Sequence, residues 1–143
     1  MLEGYLMLSG RIRRWRFFVY GLALYIIAPV LILLAIPAIA NARYPAAAAV
    51  IVVIVLVVSW YWANMALVVK RLHDLNKTGW HYVWMFLVPG LLSGGLSFEL
   101  SRRSDGHWSV GYGLVVGIVP FLASLYLTFA RGSDGPNDYG YPP

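Results

Sequence analysis

The sequence predicts an all-α membrane protein, a bundle of four transmembrane helices with both termini on the cytoplasmic side. Three observations carry that expectation. The 143 residues are 60% hydrophobic and only 12% charged, with a mean hydropathy of +0.69, far from the average of soluble domains. The charges are segregated, since no Lys, Arg, Asp or Glu falls within 17–42, 44–69, 78–98 or 106–130. Between those gaps, Lys and Arg gather in alternate loops.

A spanning helix needs about 20 predominantly apolar residues, because each advances about 1.5 Å across roughly 30 Å of hydrocarbon. Residues 17–40 ("FFVYGLALYIIAPVLILLAIPAIA") and 46–69 ("AAAAVIVVIVLVVSWYWANMALVV") exceed that length. The third run, 80–98, is shorter and carries Pro89-Gly90, so a kinked or re-entrant element is its alternative. The fourth, 110–130, is long enough although rich in Gly. Together they make a single membrane domain over 1–143. The first run outlasts the h-region of a signal peptide and closes without a small-x-small site in a polar setting, which favours a retained anchor. The absence of Cys excludes disulfides, thiolate catalysis and Cys-based metal sites.

Orientation follows the positive-inside rule. With four spans, Arg11, Arg13, Arg14, Arg16, Lys70, Arg71, Lys77 and Arg131 share one side, against Arg43, Arg102 and Arg103 on the other. Eight against three favours an N-inside, C-inside topology, so the net charge of +5 implies no nucleic-acid partner. The same basic face suits anionic headgroups, at about 1 kcal/mol per Lys or Arg near the surface. Tyr and Trp lie mostly near span ends as an aromatic belt, whereas Trp60 to Trp62 sit deeper and are expected between helices.

At the N-terminus Ser9 suits an N-cap, with Ile12 and Trp15, and Arg11 and Arg14, each one helical turn apart. The segment "KRLHDLNKTGWHYVW", 70–84, interrupts the apolar pattern. Lys70 and Arg71 there favour the negative end of the second helix dipole, Asn76 suits a left-handed turn, and Thr78 can cap the helix starting near Trp80. His73-Asp74 resembles an oriented general base or a metal ligand pair. A metal needs three or four convergent ligands, and only His81 and His107 remain. A structural hydrogen bond from His73, with Asp74 paired to Arg, is therefore the favoured reading.

The tail "RGSDGPNDYGYPP" is dense in turn formers; its interleaved Tyr and Pro favour an ordered lid over a frayed end. Polar residues inside the spans are Ser59, Asn64, Ser93, Ser124 and Thr128, none ionisable, which weighs against a pump or coupled transporter. Gly90-x-x-x-Gly94 and Gly113-x-x-x-Gly117 would allow close helix approach, and Pro29, Pro37, Pro89 and Pro120 are candidate kinks.

Three islands, "GRIRRWRFFVYGL", "KRLHDLNKTGW" and "GPNDYGYPP", together resemble, in order, the motifs of a bacterial inner-membrane family known as domain of unknown function 805. The resemblance spans 10 to 142 and is most specific at the centre. It matches Gly10, Arg11, Arg14, Phe17, Arg71 to Asp74, Gly79, Trp80, Gly135, Asn137, Tyr139, Gly140 and Pro142. Lys70 stands where that family usually has Arg, and about twenty residues around 94–113 look additional, supplying the span that returns the tail to the cytoplasmic side. The resemblance implies a location in the bacterial inner membrane and no reaction.

The expected centre is thus a cytoplasmic cluster of Arg11, Arg14, Arg71, His73, Asp74, Trp80, Asn137, Asp138 and Tyr139. The arginines are expected to share the carboxylates of Asp74 and Asp138, with Trp80 and Tyr139 packed around them. Such a cluster is a structural clasp first, and a site for anionic lipid or a partner protein second. No catalysis, cofactor or metal is expected, and a homo-oligomer is an open possibility. The alternatives are a component of a small oligomeric channel or transporter, and an enzyme dependent on His73 and Asp74.

Overall fold

The computed structural model describes residues 8–41, 46–93, 95 and 107–143, the side chains of 35–41, 46, 47, 49 and 107–116 excepted. The described residues are mainly helical: α1 (Arg14–Asn41), α2 (Ala46–Asp74), α3 (residues 81–93) and α4 (His107–Phe129). Extended pairing among them is confined to one antiparallel bridge, Asn137 with Gly140.

Two helices are long and apolar enough to cross a membrane, over Arg14–Leu34 and Val50–Asp74. In the most apolar window of each, 6% and 11% of the residues are buried, so their apolar surface faces outward instead of filling a core. Leu22, Ile26, Leu33 and Ile51 are all at least half exposed. The other apolar stretches, Val83–Ser93 and Gly117–Phe129, are shorter. Residues 94 and 96–98 of the expected third span, and Arg43, Arg102, Arg103 and Asp105 of the far-side loops, lie outside the described residues.

The helix starts differ from expectation for local reasons. Gly10 adopts φ +94°, a left-handed value that favours glycine, and the chain stays non-helical until Arg14. Ser9 therefore caps nothing in α1; the first turn closes with Phe17 N donating to Arg13 O at 2.9 Å. Arg11 and Arg14 are not a helical turn apart, and Ile12 points inward at 5% exposure while Trp15 is 70% exposed.

α2 continues one turn beyond its apolar stretch, through Lys70 to Asp74. What ends it is backbone geometry: Asn76 takes φ 54°, its N–H donates to His73 O at 3.1 Å, and Lys77 N donates to Leu72 O at 2.8 Å. That is a Schellman stop with Asn in the left-handed position. The next turn brings Gly79 against α2, where an added Cβ would lie 3.1 Å from Val69 Cγ1.

α3 contains a π-helical turn, Val83–Leu87, in which Val88 N donates to Val83 O. Pro89 follows at once; it has no N–H for the helical ladder and its ring crowds the preceding turn. The widened turn absorbs that defect.

The packed core lies at one end of the bundle. Ile12, Phe17, Leu67, Leu72, Tyr82 and Leu127 cluster there, drawing on the start of α1, the close of α2, the head of α3 and the end of α4. The spacing of glycines did not identify this packing. Gly90 and Gly117 face open space, and Gly94 and the surroundings of Gly113 lie outside the described residues.

Candidate functional site

The last turn of α2 presents Arg71 and Asp74 three residues apart, on one face. Both are buried, with 1% and 6% of their side-chain surface exposed. Arg71 Nη1 pairs with Asp74 Oδ2 and also donates to Ile12 O at 3.3 Å. Its Nε donates to Leu127 O at 2.8 Å, and its Nη2 to Ala130 O at 2.5 Å. Arg71 thus answers carbonyls at the C-terminus of α4, where a cation meets the negative end of the helix dipole.

Asp74 Oδ1 is taken by a second arginine, from 63 residues away: Arg11 reaches it through Nε at 3.2 Å and Nη2 at 3.0 Å. The same guanidinium binds the tail, with Nη2 donating to Ser133 O at 2.6 Å and Nη1 to Gly135 O at 2.8 Å and Gly140 O at 3.1 Å. One carboxylate therefore serves two buried guanidiniums, one on each oxygen. Charge-assisted pairs of this kind are stronger than neutral hydrogen bonds, and each partner would be stranded without the other.

The tail completes the capping of α2. Ser133 donates to Asp74 O through both N, at 2.9 Å, and Oγ, at 3.0 Å, and Asn137 Nδ2 donates to His73 O at 2.8 Å. Asn137 Oδ1 accepts from Tyr139 N at 2.9 Å, and Gly140, at φ +113°, closes the bridge to Asn137. Gly132 passes over the carboxylate so closely that a Cβ there would lie 2.7 Å from Asp74 Cγ. No side chain fits at that position.

His73 stacks on Tyr139, ring centroids 3.9 Å apart and planes 5° from parallel. It sits past the apolar stretch that ends at Val69, with Nδ1 3.2 Å from Gly10 O, so the tautomer with a proton on Nδ1 donates there. Burial holds its pKa below the ordinary value of 6.5, and the Gly10 carbonyl offsets part of that.

The structure brings Arg11, Arg71, His73, Asp74, Asn137 and Tyr139 together, and leaves three expected members outside. Arg14 is exposed and lines a groove beside the cluster instead of bonding Asp74, because the turn that would have aligned it with Arg11 is not helical. Asp138 is exposed and pairs with no arginine among the described residues; it flanks Asn137, whose side chain turns inward. Trp80 is 74% exposed, since the turn at Gly79 carries it outward. The Thr78 hydroxyl meets the His81 ring instead of a free backbone N–H, while its carbonyl accepts from His81 N at 3.2 Å where α3 begins. Among the described residues no three His, Asp or Glu converge. Ser133 and Gly132 escaped sequence reasoning altogether, because their roles are to bond a carbonyl and to lack a side chain.

Beside the cluster runs a groove lined by Arg13, Arg14, Arg71 and Arg131 against Asp74 and Asp134. Farther along the helices, Asn64, Ser124 and Thr128 each bond a carbonyl of their own helix four residues back, the usual choice for polar groups in an apolar helix.

The family model for a protein of unknown function (DUF805) matches residues 5–141. The chain belongs to the DUF805 family. The matched region takes in the first two polar islands and the third as far as Tyr141, so the residues that meet around Asp74 are DUF805 residues. No curated protein and no solved structure matches the chain.

Proposed function

We propose that this DUF805 protein is a non-catalytic, multi-pass protein of the bacterial inner membrane, with both chain ends fastened to the cytoplasmic end of α2. In this reading α1 and α2 cross the bilayer, and α3 and α4 complete a four-helix bundle. The outward apolar faces of α1 and α2 support it, since soluble monomers rarely expose contiguous apolar surface on this scale. So does the gathering of the N-terminal segment, the close of α2 and the tail at one end, the side favoured by the Lys and Arg count.

The observation that carries the functional reading is the division of Asp74 between two buried guanidiniums. The pair uses up the one buried carboxylate of the site, so the arginines of the adjoining groove outnumber its acids and are directed to an outside anion. The cluster is the clasp, and the groove is a seat for anionic phospholipid headgroups. Arg13, Arg14 and Arg131 are exposed, so they can change without stranding a buried charge.

The test is the purified full chain in detergent micelles, titrated with dioleoyl phosphatidylglycerol and dioleoyl phosphatidylcholine and followed by native mass spectrometry. Preferential retention of phosphatidylglycerol, at least tenfold and lost in an Arg14→Gln/Arg131→Gln variant, is the expected result. Equal retention of the two lipids sinks the headgroup reading and leaves the clasp standing alone.

A further inference from the structure

A second feature lies farther along the helices: an open-sided cavity of about 570 Å³ lined by all four of them. Its volume falls within the range of about 300–1,000 Å³ typical of small-molecule sites. α2 forms one wall with Trp60, Asn64, Leu67 and Val68, and α4 contributes Pro120 and Ser124. Its open side lies between α1 and α3, at Phe18, Leu22 and Tyr25 on one edge and Leu87 and Leu91 on the other. All five of these are large, apolar or aromatic, and exposed. The backbone of α1 does not approach the π-helical turn of α3, so the two helices frame an opening instead of a seam.

Two details mark this space. Gly21 and Gly90 both line it, each with nothing within 4 Å of where a Cβ would be. The indole Nε1 of Trp60 is buried and has no hydrogen-bond partner among the described residues, although buried donors are nearly always satisfied. The cavity is a mainly apolar slot, walled by Phe17, Leu67, Val68 and Phe86 beside Trp60.

Its position relates it to the arginine groove. Arg14 of the groove precedes Phe17 and Phe18 of the cavity by one turn of α1, about 4.5–6 Å along the helix axis. Arg131 follows Thr128 of the cavity by three residues, just past the end of α4 at Phe129.

We infer that the slot between α1 and α3 receives the hydrocarbon tail of the anionic phospholipid whose headgroup sits in the arginine groove, entering sideways from the bilayer. The inference rests on the headgroup reading and adds the chain-binding half of the ligand. The charge of the groove selects the lipid class, and the slot holds one tail.

The experiment uses the full chain in micelles with Gly21→Leu and Gly90→Leu, each made separately, and thermal unfolding as the check on folding. Dioleoyl phosphatidylglycerol is titrated as above, beside the Arg14→Gln/Arg131→Gln variant. The expected result is a tenfold or greater loss of affinity in either glycine variant, at an unfolding midpoint no lower than that of the unaltered chain. Phosphatidylglycerol preference lost with the arginines but untouched by both glycine variants overturns the slot and spares the groove. Absence of any preference in the unaltered chain removes the groove as well. Should both glycine variants unfold, phosphatidylglycerol bearing a diazirine in mid-tail decides on the unaltered chain. Adducts at Leu67 or Val68, both 7% exposed, support entry; adducts confined to outward residues such as Leu31 and Leu33 rule it out.

Discussion

The two ends of this bundle are built on different physics. At the polar end, Arg11, Asp74, Arg71, Ser133 and Asn137 each bond a partner from another segment, and a glycine is required where the tail crosses the carboxylate. In the apolar part, glycines face open space, polar side chains bond their own helix, and a cavity of about 570 Å³ separates α1 from α3. Lipid tails are as apolar as the helices, so burial does little to choose one helix arrangement over another in a bilayer. Directional charge can do that choosing, and the contrast places the specificity of this fold at its polar end.

The sharpest way to break the contrast is to remove the shared charge. Asp74→Asn leaves two buried guanidiniums without the negative charge they share, at a cost of about 3–5 kcal/mol. Unfolding in detergent should show a large fall in midpoint, whereas Asp138→Asn, at an exposed position, should leave it near the original. Equal effects at the two positions would reduce the clasp to a surface ion pair.

The same glycine substitution should act with opposite sign in the two regions. Gly132→Ala drives a methyl into the Asp74 carboxylate, and overpacking of that kind costs roughly 1–3 kcal/mol. The displaced tail should expose the bond after Arg131 to trypsin. Gly21→Ala, within α1 and with nothing near its Cβ position, should stabilise by roughly 0.5–1 kcal/mol through the lowered entropy of the unfolded chain.

How much of this was legible in the sequence depends on which physical signal each feature leaves. The charge-free gaps locate α1 and α2, because a helix in hydrocarbon must be long and apolar to satisfy its own backbone. They misplace the end of α2 by one turn, because a helix stops where its carbonyls find other partners, here at Asn76, and not where charges begin. That extra turn is what puts Arg71 and Asp74 on one face. The convergence of Arg11 on Asp74 has no periodic signature across 63 residues; the resemblance and the charge asymmetry pointed to it, and neither gives a geometry. Leu127 O, Ala130 O and Ser133 O were beyond reach, since every residue carries a carbonyl. The glycine pairs misled for the opposite reason: their spacing describes one helix and says nothing of whether a second lies against it.

The smallest expected effect concerns His73, at the seam between the clasp and the tail. Its pKa is lowered in the fold by burial, so the unfolded chain takes up the proton first as pH falls. Stability should thus be full above the ordinary value of about 6.5, decline as pH drops through it, and level off below the lowered folded value. Unfolding midpoints at pH 7.5 and 5.5 should differ more in the unaltered chain than in His73→Gln, which keeps a polar side chain at that position without a titrating ring. Every other titratable group is common to both chains, so the difference between them isolates the imidazole. An identical difference in both would mean that the ring remains wet and that its stacking on Tyr139 contributes nothing to holding the tail. The docking of the tail would then rest wholly on Arg11, Ser133 and Asn137.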